Sequence, residues 1–237
     1  MGGNDSQSPG QPGDDVPSAA ATGSLAQKKT LIATEQDPVA RAQWTDEAAS
    51  WAADAVIFLD ETSTQTVMTR ARGRSRRGER VVGRVPRNHG PNVTCLAALT
   101  STGICAPLVF PGALDGAIFV QWVRDRLLPT LASGTTIVLD NLNVHRNAAA
   151  RAAVEAAGWQ LRFLPAYSPD FNPIELAFAK LKTHLRAVAS RDYETLVTAI
   201  GDGFDRICAA DANAWYRHCG YVVPDDSHPL LPLCKPL

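Results

Sequence analysis

The chain has 237 residues and a formal charge of −1, enough length for one domain with a buried core or two small ones, and no internal linker divides it. No apolar run approaches the ~20 residues of a membrane span, and the start lacks the basic flank and apolar stretch of a signal peptide, so a cytoplasmic protein is expected. Five cysteines without a C-x-x-C pair exclude a disulfide framework and a zinc ribbon, leaving reduced core residues as the expectation. His218 beside Cys219 has no second close pair to complete a metal site.

Residues 1–27, rich in Gly, Ser, Asp, Pro, Gln and Ala and without an aromatic residue, bury too little apolar surface to offset their ordering entropy and read as a disordered tail. The folded domain is expected over 28–222, with 223–237 as a C-terminal tail. Lys28 to Trp51 has helical spacing and carries Trp44 and Trp51, a lead-in that packs on the core. Ala55 to Leu59 is a continuous apolar run, the mark of a strand buried on both faces, and it is expected to end on Asp60. Thr64 to Thr69 reads as a short strand.

Between Arg70 and Arg87 stand eight arginines and one acid, Glu79, for a local charge of +7 that leaves −8 on the remainder. The run is all Arg, interleaved with Gly73, Gly78 and Gly83. Arginine's planar fork suits phosphate, so Arg70, Arg72, Arg74, Arg76, Arg77 and Arg80 are candidate nucleic-acid contacts; a solvated loop is the plain alternative. Val93–Leu99 and Ile104–Phe110 form a hairpin turning at Ser101-Thr102-Gly103. Gly116 to Leu131 carries Ile118, Phe119, Trp122, Val123, Leu127 and Leu128 at the spacing of a buried helix face.

Thr136 to Leu139 is a second buried strand, and it ends on Asp140. A helix over 147–157 stops at Gly158, a strand follows over Gln160–Leu164, and another helix starts near Pro173. This order describes an α/β fold: a mixed sheet with helices on both faces.

If the strands ending in Asp60 and Asp140 are neighbours, two carboxylates crowd one sheet edge and call for a cation. Mg²⁺ takes oxygen ligands, often one or two protein carboxylates, and a pair of such ions serves an in-line phosphoryl displacement. Each Asp could instead cap the segment after it. Asn172 and Pro173 look like the N-cap and first position of the next helix, with Glu175 third, where it could close a capping box or serve as a third acid. Ile174, Phe178, Leu181 and Leu185 form that helix's apolar stripe, whereas Glu175, Ala179, Lys182 and Arg186 share another face, placing two cations beyond a carboxylate.

Phe58-Leu59-Asp60-Glu61, the stretch Gly78 to Gly83 with its flanking arginines, Leu139-Asp140-Asn141-Leu142-Asn143-Val144-His145, and Tyr167 to Glu175 running on to Lys182 closely resemble the DDE transposases of the mariner superfamily, in particular the bacterial insertion-sequence 630 branch. The likeness extends from about Lys28 to Tyr221, and the 34 residues between Asp140 and Glu175 match that branch's spacing. The resemblance implies an RNase H-like fold, with Asp60, Asp140 and Glu175 as ligands of two Mg²⁺ or Mn²⁺ ions. It also implies cleavage of double-stranded DNA at transposon ends, joining to a target, commonly at TA, and a homodimer as the active form. Asn141 and His145 would lie behind the ligands or contact DNA, whereas Glu61, pointing away from Asp60 along the strand, and Asp170, in the turn before the helix, look like bystanders. Whole transposases of this type carry some 100 further N-terminal residues of helix-turn-helix modules. A polar tail stands there instead, so the chain is expected to be either the downstream product of a frameshift that joins it to modules encoded upstream, or a truncated remnant. A nuclease without strand transfer and a DNA-binding role without chemistry are the competing expectations.

Overall fold

The computed structural model describes residues 32–223 apart from His89, Ala132, Ser133 and Asn143. The expected tails, apart from Val223, and the first residues of the lead-in lie outside the described residues.

Five strands form one sheet in the order β3-β2-β1-β4-β5: β1 (Val56–Thr64), β2 (Val93–Thr100), β3 (Gly103–Pro111), β4 (Thr136–Leu139) and β5 (Gln160–Phe163). The hairpin β2–β3 and its partner β1 are antiparallel, as expected, whereas β1, β4 and β5 run parallel. The first helix, α1 (Pro38–Ala48), precedes the sheet and is capped by the Asp37 carboxylate, which accepts from the amides of Val39 and Ala40. It is shorter than the 28–51 lead-in, but Trp44 is buried and packs edge-on against Trp51. The expected helix over 116–131 is present as α2 (Gly116–Trp122), a π-helical turn (Val123–Leu127) and a last short turn, α3 (Leu128–Thr130). After β4 comes α4 (Ala148–Ala156), capped by Asn147, and after β5 come α5 (Pro173–Val188), α6 (Tyr193–Asp205) and α7 (Ala209–His218).

Strand periodicity sends alternate side chains to opposite faces, and β1 shows this directly. Val56 and Phe58 join one core with Phe178, Leu181, Leu185, Leu196, Ile200 and Tyr216 from α5, α6 and α7. Ile57 and Leu59 join a second core with Phe119, Trp122, Leu127, Ala150 and Val154 from the α2 to α4 side. The sheet is therefore filled on both faces, which is why its strands read as unbroken apolar runs.

Three expectations need correction. β1 does not stop at Asp60: it runs to Thr64, because β2 pairs with it from Phe58 to Thr64 and supplies the ladder bonds that β4 no longer provides. The expected strand over 64–69 is consequently absent, and a turn with a Met68 amide to Gln65 carbonyl bond stands there. The cysteines are not uniformly reduced core residues: Cys95 and Cys219 are free and buried, Cys208 is free and exposed, and Cys105 is half of a disulfide.

One buried polar contact ties the helices to the sheet. The Tyr216 hydroxyl lies 2.9 Å from the carbonyls of both Val56 and Leu99, with its ring edge-on to Phe58 at 5.3 Å. Tyr216→Phe keeps the ring and leaves two buried carbonyls without that donor, so a loss of about 1–2 kcal/mol is expected. Chemical denaturation would read it as a lower midpoint at unchanged slope; an unchanged midpoint would show that the hydroxyl contributes nothing net.

Candidate functional site

Asp60 is the fifth residue of β1, on the face that carries Val56 and Phe58. Asp140 follows the last residue of β4. The parallel register ends at Phe58 opposite Val138, and continuing it by two residues sets Asp60 level with Asp140. Where β4 stops, no described strand pairs with β1 on that side, and the chain opens into a cleft. Its lining includes Asp60, Asp140, Asn141, Tyr167, Asn172 and Glu175, around a volume of about 450 Å³. Glu175 reaches it from the first turn of α5. The three expected acids, from three elements, therefore line one cavity.

Their environments differ. Asp60 is 6% exposed and its carboxyl is pushed up to about 8, first by burial and then by the charges of Asp140, Glu61 and Glu175. One of its oxygens accepts from the Glu61 amide and the other from the Asn172 side-chain amide at 2.9 Å. For Asp140, burial alone would act upward, but the His145 hydrogen bond, the Leu142 amide and the His145 charge hold it below its usual value. Glu175 is exposed to the cleft, and its side chain has no hydrogen-bond partner among the described residues.

His145 is fully buried, which removes it from any surface contact with DNA. Its Nδ1 lies 2.6 Å from Asp140 Oδ1 and its Nε2 2.9 Å from Glu61 Oε2, while its ring leans on Phe119 at 5.1 Å. The Glu61 contact is an ion pair that falls short of a straight hydrogen bond, as both atoms otherwise lack a partner. Burial works against a charged imidazole, but the two carboxylates outweigh it and raise His145 to about 9. Asn141 lines the cleft beside Asp140, with its side chain engaged: its amide donates to the Leu164 carbonyl and its oxygen accepts from Arg146.

Two residues that sequence reasoning set aside are part of this site. Glu61 does point to the sheet face opposite Asp60, but that is the face on which His145 lies. Asn172 holds the N-cap position of α5, yet its side chain makes no cap bond; it turns to Asp60 instead, and the capping box with Glu175 does not form. A local capping rule pointed to Asn172 for a different reason, and no sequence signal marks Glu61 beyond its place next to Asp60. Asp170, in the turn before α5, is paired in two-pronged fashion with Arg41.

Lys182 and Arg186 lie along α5 on the side of Glu175, Lys182 half-buried and Arg186 exposed. The arginine-rich segment is exposed and without regular secondary structure; Arg70, Arg72, Arg74, Arg76, Arg77 and Arg80 all face solvent. Among the described residues, no three His, Cys, Asp or Glu side chains are drawn together as a ready three-ligand metal centre. The oxygen donors of Asp60 and Asp140 nonetheless suit a hard divalent cation, because Mg²⁺ takes one or two protein carboxylates and completes its shell with water and phosphate. A carboxyl raised by burial and by neighbouring acids is relieved by such a charge. Among the described residues, no helix is long and apolar enough to cross a membrane.

No curated protein matches the chain. Among solved structures, the Mos1 transposase paired-end complex with left transposon end is similar with a TM-score of 0.64 at 18% identity, over 85% of this chain and 65% of that one. The Mos1 strand transfer complex gives 0.63 at 16%, over 84% and 63%. The catalytic domain of Mos1 mariner transposase gives 0.51 at 15%, over 76% and 81%. At these identities the likeness is one of fold, and the mixed sheet is RNase H-like as in the Mos1 catalytic domain. The chain spans less than two thirds of the Mos1 chains in the two complexes. Residues 55–197 match the family described as DDE superfamily endonuclease, a stretch that holds all three cleft acids, and the chain belongs to that family.

Proposed function

We propose that the chain is the catalytic domain of a mariner-type transposase of the insertion-sequence 630 branch, which cleaves double-stranded DNA at transposon ends and joins the 3′-hydroxyls to a target, commonly TA. The observation that carries this reading is that Asp60, Asp140 and Glu175, from β1, β4 and α5, line one cleft. Asp60 and Asp140 would hold two Mg²⁺ or Mn²⁺ ions, with Glu175 closing the open side. When bound, such ions stabilise the attacking and leaving oxygens of a phosphoryl displacement. Asn172 orients Asp60, and His145 orients Asp140. Lys182 and Arg186 lie where the phosphates of a bound strand would continue past Glu175. The active form is taken to be a homodimer on DNA, in which helix-turn-helix modules recognise the transposon ends.

The test is a strand-transfer assay with Mg²⁺, the chain being fused to those modules and supplied with transposon-end duplex and plasmid target. Joined products support the reading. Hydrolysis without joining would make the chain a nuclease of the same family, and DNA binding with no Mg²⁺-dependent cleavage would remove the enzymatic reading.

The exposed arginine segment supports a sequence-indifferent electrostatic contact, because phosphate contacts give affinity without base readout. Replacing Arg74, Arg76 and Arg77 together by Ala is expected to weaken binding to any duplex. It should flatten the plot of log K against log salt by about 0.9 for each phosphate that the variant no longer neutralises. Fluorescence anisotropy from low to moderate salt measures both, and an unchanged slope would make the segment an ordinary solvated loop.

A further inference from the structure

Resting on the proposed reading of the cleft, we infer that Glu61 is a positioning residue for the metal-binding carboxylate Asp140, acting through His145. The three side chains form a line. Glu61 Oε2 is 2.9 Å from His145 Nε2, and His145 Nδ1 is 2.6 Å from Asp140 Oδ1. The ring between them is fully enclosed and held against Phe119.

Asp140 needs such support because of where it sits. It lies one residue past the end of β4, without ladder bonds of its own, and its local anchor is the Leu142 amide on the same Oδ1. His145 takes that oxygen from the second side and leaves Oδ2 as the atom free to meet a cation. An imidazole can fix a carboxylate only if its own rotation is fixed. Phe119 limits the tilt of the ring, and Glu61 sits at its far nitrogen, opposing a turn that would carry Nδ1 away from Asp140.

Glu61 comes from β1, the strand that also delivers Asp60, but from the opposite face of the sheet. One strand thus supplies a carboxylate to the cleft and, one residue later, the brace for the carboxylate of its parallel neighbour. Groups behind the ligands of a metal site set ligand orientation, and their loss commonly costs 10–100-fold in metal affinity.

The experiment measures Mn²⁺ affinity of the full chain by the electron paramagnetic resonance signal of the free ion, alongside thermal melting and Mg²⁺-dependent nicking of supercoiled plasmid. Glu61→Ala is expected to weaken Mn²⁺ binding roughly 10–100-fold. Glu61→Gln, which keeps an oxygen of the same reach toward Nε2 but not the charge, is expected to restore part of it. Glu61→Ala should lower the melting temperature of the metal-free protein by far less than its effect on metal affinity implies, whereas a merely structural role would move melting and leave affinity alone. Nitrogen chemical shifts of the His145 ring add a direct readout, expected to change in the Ala variant and to return in the Gln variant. Wild-type Mn²⁺ affinity in Glu61→Ala, or an equal loss in Ala and Gln, overturns the inference. Asp140→Asn is the control that separates the two readings. If it abolishes Mn²⁺ binding while Glu61→Ala does not, the inference fails and the cleft reading stands. If Asp140→Asn binds Mn²⁺ as wild type does, the cleft reading fails first.

Discussion

Replacing Asp60 by Asn is expected to reduce Mg²⁺-dependent cleavage by several orders of magnitude and, at the same time, to make the metal-free protein more stable near pH 8. Both effects follow from one arrangement. Asp60 is buried with Asp140, Glu61 and Glu175 around it, and its carboxyl is pushed up to about 8 in the fold against 3.8 for the free group. A group raised in this way opposes folding when ionised: it costs nothing below about pH 4, and the cost grows as pH rises through the interval up to about 8. Asn cannot ionise, so the variant escapes that cost, while one amide bond to the site survives through its remaining oxygen.

Melting curves without metal at pH 5 and pH 8 should therefore coincide more nearly for Asp60→Asn than for wild type. Added Mg²⁺ should raise the melting temperature of wild type only, since a ligand that binds the folded state alone stabilises it by mass action. A variant that is inactive because it is unfolded would show no such curves, and one that nicks plasmid as wild type does would remove Asp60 from the chemistry.

Asp140→Asn should be equally inactive but opposite in stability. Asp140 is held below its usual value by His145 and the Leu142 amide, so its charge favours the fold above about pH 4 and that contribution is lost as pH falls. Two acids that look alike in sequence, each following a buried apolar run, are thus separated by their neighbours. Asp60 is strained without a cation, whereas Asp140 already has one in His145.

That difference marks where sequence reading stops. Val56 to Leu59 and Thr136 to Leu139 are legible as central strands, because burial on both faces leaves no polar alternation to obscure them. The hairpin is legible from its turn, and α5 from its apolar stripe. What is not legible depends on pairing across the sheet. Glu61 breaks the apolar run, so β1 reads as ending at Asp60, yet the partners Leu96, Cys95, Thr94 and Val93 carry it on to Thr64. Asn172 obeys a helix-start pattern that its side chain does not use, because Asp60, 112 positions away, offers a charged acceptor. The Glu61–His145 contact depends on two things that sequence spacing does not connect: which side of a strand a residue occupies, and where the loop after the next parallel strand folds back.

Glu175→Gln is the second large expected effect. In sequence the residue has a structural explanation as good as the catalytic one, since a Glu at the third helical position can return to the N-cap amide, and Gln can do the same. The fold removes that explanation: no cap bond from the side chain is present, and the start of α5 is held by Pro173 and by burial of Ile174, Ala177 and Phe178. Glu175 is exposed to the cleft, where its charge contributes to the rise at Asp60. Gln has the same shape and loses only the charge, so melting without metal should change little or rise slightly as repulsion is relieved. Cleavage and strand transfer with Mg²⁺ should fall by orders of magnitude, because an anionic oxygen that helps hold the open side of the site is gone. Mn²⁺, with higher intrinsic affinity for such ligands, should restore part of the activity. The measurement compares wild type and Glu175→Gln on transposon-end duplex in both metals, each fused to recognition modules. A Gln variant with unchanged rates would place Glu175 outside the chemistry and leave Asp60 and Asp140 as a two-carboxylate site in need of another third member.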